Sequence, residues 1–90
     1  MAKKIAVLIR DRTSEALRMA LGLTLVDDVI DVFVLDRTLS LTEEDRDNVT
    51  LMKELNVRFY SNQKDNNDME ILSDKEIATK LLGYDNVLPY

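Results

Sequence analysis

Ninety residues make one small domain at most, burying about 60–65% of the surface its unfolded chain exposes. With no cysteine and no histidine, the chain has neither a thiol nucleophile nor a disulfide, and it lacks the commonest general base and metal ligand, so no metal or cofactor site is expected. A composition 46% hydrophobic and 32% charged is that of a globular protein, and a net charge of −5 with scattered Lys and Arg argues against nucleic acid as a partner.

The opening stretch Lys3–Ile9 is a charged lead-in followed by a continuous apolar run, which predicts a strand buried on both faces. Its apolar part, Ile5–Ile9, is shorter than the core of a signal peptide and has no small-residue cleavage site after it, so the chain is expected to stay in the cytosol. Arg10, Asp11, Arg12, Thr13 and Ser14 form a polar loop ending in hydroxyl residues that cap helices well. A helix is predicted from Ser14 to about Asp27. Its longest apolar stretch, Leu21–Val26, is interrupted by Thr24 and followed by Asp27 and Asp28, far short of the roughly 20 residues of a membrane span.

Val29–Leu35 reads as the second strand and Asp36–Leu41 as a loop. Thr42 then caps a helix whose first turn is acidic (Glu43, Glu44, Asp45) and whose narrow apolar face is Val49, Met52 and Leu55. Asn56 is a left-handed stop before Val57–Ser61, which alternates as a third strand. Asn62–Asp68 is polar and aperiodic, a loop. Ser73-Asp74-Lys75-Glu76 spells a capping box, with Ile77, Ala78, Leu81 and Leu82 as the buried stripe behind it, and Gly83 ends that helix. Val87 and Leu88 give a last short strand, confined to an edge by Pro89. The order βαβαβα(β) predicts a three-layer α/β/α sandwich, residues 1–90 as a single domain, around a mostly parallel sheet of four to five strands.

The first two strands run into the same tripeptide, Asp11-Arg12-Thr13 and Asp36-Arg37-Thr38. In a parallel sheet both loops leave the carboxyl edge, where open α/β sheets bind ligands. Arg10, Arg12, Thr13, Ser14, Arg37 and Thr38, together with Ser61 and Asn62 beyond the third strand, are therefore the candidate ligand-binding residues. Guanidinium groups, hydroxyls and a helix N-terminus suit a phosphate, sulfate or carboxylate. The plainer reading is that Asp11 and Asp36 pair with the arginines while Thr13 caps the helix. Two glycines in the whole chain cannot build a classical dinucleotide or triphosphate loop.

The first helix carries two apolar sides, Leu17, Leu21 and Leu25 against Ala16, Met19, Ala20 and Leu23. One side faces the sheet. The other is covered either by a second subunit or by a neighbouring helix of the same chain. The first alternative makes Leu17, Met19, Leu21, Leu23, Leu25 and Val26 interface candidates and the protein a homo-oligomer or a hetero-oligomer with related subunits.

The lysine-led first strand, the helix Glu15–Asp28 (EALRMALGLTLVDD) and the strand Val29–Asp36 (VIDVFVLD) resemble the DsrE/DsrF/DsrH-like family of small sulfur-relay proteins, which includes TusBCD-like subunits. The resemblance implies a three-layer sandwich, assembly into oligomers and, in catalytic members, a cysteine that accepts a persulfide at the end of a middle strand. Asn56–Gln63 (NVRFYSNQ) resembles that strand, with Ser61 where the thiol is expected. A serine hydroxyl is barely ionised at neutral pH and does not carry sulfane sulfur, so the resemblance implies a non-catalytic partner subunit, structural or regulatory. The competing function is a module binding a small anion or nucleotide fragment. Carboxylate chemistry through Asp11, Asp27, Asp28 and Asp36 is a third class; the chain is too short, by a βα unit or two, for a phospho-receiver domain.

Overall fold

The computed structural model describes residues 3–24, 29–36, 42–66 and 69–90. Of the expectations above, those on Leu25, Val26, Asp27, Asp28, Arg37 and Thr38 fall outside the described residues. The elements in order are β1 (Lys4–Ile9), α1 (Thr13–Thr24), β2 (Val29–Val34), α2 (Glu43–Glu54), β3 (Arg58–Ser61), β4 (Glu70–Ile71), α3 (Asp74–Leu81) and β5 (Asn86–Pro89). The five strands form one sheet in the order β4-β3-β2-β1-β5, and every pairing is parallel.

This order follows from crossover handedness. Two steps in the same direction, β1 to β2 to β3, put α1 and α2 on one face. The return from β4 at one edge to β5 at the other puts α3 on the opposite face. Strand alternation sorts the core accordingly. Ile5, Val7, Ile9, Ile30, Val32, Val34 and Phe59 join Ala16, Leu17, Ala20 and Met52 in the core beneath α1 and α2. Ala6, Phe33, Leu35 and Tyr60 join Ile77 on the α3 side, with Leu72, Leu81 and Tyr84 packed around them. Phe33, wholly buried, is the centre of that smaller core. Its ring stacks on Tyr60 at 5.0 Å between centroids and meets the edge of Tyr84 at 5.7 Å.

Local signals set most of the boundaries. The Thr42 hydroxyl accepts the Asp45 N–H at 3.1 Å and starts α2. Ser73 and Glu76 form both halves of the capping box at α3, each hydrogen bond 3.1 Å long. Asn56 has φ 70°, the left-handed turn expected after α2. Gly83 has no positive φ, so α3 closes on Leu82 in a right-handed conformation and not on a left-handed glycine. Leu55, assigned to the inner face of α2, is 38% exposed because the helix has already ended at Glu54. The sequence reading had no strand at Glu70–Ile71. Both residues are exposed, so they carry no alternation signal, and the parallel pairing to Tyr60 and Ser61 alone defines them.

Candidate functional site

Three chain segments meet at the carboxyl edge of the sheet around Asn62, the residue after β3. Its amide Nδ2 donates to Asp36 Oδ1 and to Asp74 Oδ1, both at 2.8 Å, and its Oδ1 accepts the Asp36 N–H at 2.8 Å. Asp36 follows β2 with φ 61°, a conformation that costs an L-residue about 1–2 kcal/mol and that Asp tolerates better than most. The reciprocal pair with Asn62 offsets that cost. Asp74 is the first residue of α3, where a carboxylate is favoured by the helix dipole. These residues line a cleft of about 270 Å³ together with Arg10, Leu35, Ile77, Ala78 and Leu81.

Three of the other predicted ligand residues, Arg12, Thr13 and Ser14, line a separate open hollow of about 480 Å³ at the start of α1, together with Asp45. In that hollow the Ser14 hydroxyl donates to Asp45 Oδ2 at 3.0 Å, and Asp45 is 5% exposed. A carboxylate of the chain itself therefore occupies the first turn of α1, where the sequence suggested a phosphate. Arg12 pairs with Glu15 at 3.8 Å on the surface, a contact of small energetic weight. Thr13 is the first residue of α1 and lines the same shallow hollow as Arg12 and Asp45. The backbone N–H groups of Arg10 and Asp11 both donate to the Tyr90 carbonyl, at 3.0 and 3.1 Å, which ties the end of β1 to the end of β5.

Ser61 is completely buried. Its Oγ accepts the Gln63 N–H at 3.0 Å and the Asn66 Nδ2–H at 2.8 Å, so the hydroxyl organises the turn after β3. Nothing in this arrangement presents or activates the oxygen.

Along α1, Leu17 is wholly buried beneath the helix, and Leu21 and Leu23 are half-buried against the same core. As an interface candidate Leu17 is corrected, because the chain's own core encloses it. Of the large apolar side chains described on α1, Met19 alone is exposed, at 45%.

A second polar cluster escaped the sequence reading. Asp31, 5% exposed, lies on the α3 face of β2 and accepts the Tyr84 hydroxyl. Burial, and then Asp31, push the Tyr84 hydroxyl well above its ordinary pKa. Arg58, opposite Asp31 in the register, is held more firmly charged by the Tyr60 hydroxyl and then by Asp31. Lys4 lies over the Tyr84 ring at 4.7 Å and Lys80 over the Tyr60 ring at 4.8 Å. The available signal was a lone acid inside Val29–Leu35, a strand otherwise apolar throughout.

The fold and this edge define the class: a three-layer α/β sandwich on an all-parallel five-stranded sheet, with a polar cleft at the carboxyl ends of its strands. No family model matches the chain, and no curated protein or solved structure matches it either.

Proposed function

We propose that the chain is a non-catalytic protein of the DsrE/DsrF/DsrH-like kind, acting by contact as a structural or regulatory partner in sulfur relay or a related pathway. The observation that carries this reading is Ser61. It ends the strand that resembles the thiol-bearing one of catalytic members, and it holds a fully buried hydroxyl committed to two hydrogen bonds. The absence of cysteine and histidine from the sequence supports the same conclusion. Assembly is supported by apolar side chains left outward on or beside the α3 face, namely Val29, Leu82 and Val87, at 51%, 87% and 40% exposure. The competing anion-binding reading has less support, since Asp45 sits at the start of α1 and two carboxylates flank Asn62.

Native mass spectrometry with light scattering at micromolar concentration tests the proposal, alongside a sulfur-transfer assay of the isolated chain. The expected result is a dimer or larger species with no sulfur transfer. A clean monomer that retains no related subunit, or an isolated chain that transfers sulfur, overturns it.

A further inference from the structure

The sheet has apolar side chains left outward on both of its sides. With α1 and α2 these are Met19, Leu51 and Leu55; on the α3 side they are Val29, Leu82 and Val87. A two-fold contact uses one patch twice, so a dimer of that kind covers one set and leaves the other in water. A head-to-tail contact, one side of a copy against the other side of the next, covers both sets with a single interface.

Charge distinguishes the two sides in the same sense. Helical spacing puts Glu43, Asp47 and Glu54 on the outer surface of α2 with Leu51, and all four are exposed. Glu43 and Asp47 are one turn apart, a repulsion that a cation from outside relieves. The cations of α2 are turned aside: Lys53 lies 5.8 Å over the Phe59 ring, and Arg46 precedes it by seven residues on the same flank. On the α3 side stand Lys4, Arg58, Lys75 and Lys80. Among the described residues neither these cations nor those three acids are ion-paired. The acids of the α3 side mostly accept from their own chain: Asp31 from Tyr84, Asp74 from Asn62, Glu76 from Ser73 and Asp85 from the Lys4 N–H. Glu70 remains, on the edge strand β4.

The spacing of the surfaces agrees. The outer crest of α3 is Lys75, Thr79 and Leu82, all exposed. Lys75 and Leu82 lie about 10 Å apart along the helix axis, and Asp47 and Leu55 about 12 Å apart along theirs. Both helices run against the strands of one parallel sheet, so a copy displaced along the sheet normal keeps α3 parallel to the α2 it meets.

We propose that copies of this chain stack head to tail, the α3 side of one on the α1–α2 face of the next, with Lys75 beside Asp47 and Leu82 against Leu51 and Leu55 of the next copy. This rests on the reading that the chain acts by assembly, and adds which partner and which surfaces. Because the two surfaces lie on opposite sides of the sheet, the contact repeats into a ring or an open row.

The test is sedimentation velocity on the parent and on two single variants at exposed positions, Leu82→Glu and Leu51→Glu. The parent is expected to grow in mass with concentration, and less so at high salt. Each variant alone is expected to associate at least about tenfold more weakly, the scale of one leucine lost from a contact. Mixed one to one, they are expected to pair and go no further. Leu82→Glu keeps its α2 surface and Leu51→Glu its α3 side, while the two altered surfaces repel; pairing also shows that both are folded. Undiminished association of either variant, or a mixture that forms no pair, overturns the head-to-tail contact and leaves the non-catalytic reading standing. A parent that is monomeric at millimolar concentration overturns the contact and self-assembly together. Sulfur transfer by a parent whose variants pair as expected overturns the functional reading and supports the contact.

Discussion

Replacing Ser61 by cysteine introduces the one thiol of the chain, and the surroundings of Ser61 predict that it stays silent. The oxygen is buried and accepts two hydrogen bonds, from Gln63 N–H and Asn66 Nδ2–H. Sulfur is a weak acceptor, so both donors are left poorly satisfied, at about 0.5–1.5 kcal/mol each. Ser61→Cys is therefore expected to destabilise the domain by about 1–3 kcal/mol, which for a chain of this size lowers the melting temperature by roughly 5–20 °C. Reaction of the thiol requires the turn after β3 to open. An opening that costs about 3 kcal/mol leaves under about 1% of molecules accessible, so labelling by a chromogenic disulfide is expected to be at least about a hundredfold slower than in urea. The chain has no other cysteine, so the signal belongs to position 61 alone. A variant as stable as the parent, whose thiol reacts in buffer as fast as in denaturant, refutes the reasoning. It would also return this strand end to the list of possible sulfur acceptors.

Two further predictions concern polar groups that hold the α3 layer. Tyr84→Phe removes the hydroxyl that Asp31 accepts and leaves a buried carboxylate short of a donor, a loss of about 1–3 kcal/mol in urea denaturation at neutral pH. Because burial and Asp31 raise the Tyr84 pKa in the folded state, its contribution is complete below the ordinary value of 10.0 and erodes as pH rises above it; the variant's stability profile should be flatter on that alkaline limb. The Ser73 backbone N–H, and then its hydroxyl, hold Glu76 below its ordinary 4.5, so the cap is at full strength above that value and is lost as pH falls through it and below. Glu76→Gln should flatten the acid limb of the melting curve; an unchanged limb would show that the cap contributes nothing there.

The fold was legible because each of its signals is local. Apolar runs, a hydroxyl or capping box before each of the last two helices, and Asn56 after α2 are all short-range features that behave as read; the Gly83 stop, the inward Leu55 and the buried stripe of α3 do not, since Ala78 is exposed and Leu82, which follows the helix end at Leu81, is 87% exposed. The strand at Glu70–Ile71 was not legible, since two exposed residues paired at an edge have no pattern of their own. The candidate site was legible only as a place. Arg10 and Asn62 were selected because their loops leave the carboxyl edge, and both line the cleft. The partners Asp74 and Asp45 were read only as residues in the first turns of helices, because a sequence shows a capping turn but not which strand end it faces. Asp31 differs again: its place in an apolar strand was a usable signal that went unread, and the tyrosine that satisfies it lies 53 positions away.

The surfaces left outward are not those that α1 first suggested. An apolar helix with two greasy sides needs two neighbours, and this chain provides both. Leu17, Ala16 and Ala20 pack onto the sheet, and the Ser14–Asp45 hydrogen bond ties the start of α1 to α2 alongside it. What α1 turns outward is Glu15, Arg18, Met19 and Gly22, and a Cβ added at Gly22 would meet open space. Among the described residues the opposite face is covered by one helix, α3, eight residues long. There Val29 and Val87, which alternation assigns to the α3 side, are exposed, and the adjoining Leu82 more so. A partner that approached the face of α1 and α2 would cover Met19, Leu51 and Leu55, at 45%, 43% and 38% exposure, and one that approached the α3 side would cover Val29, Leu82 and Val87; either removes apolar surface from water at about 25 cal/mol per Å². The largest single contribution to the assembly proposed for this chain would come from Leu82, the most exposed large apolar side chain among the described residues.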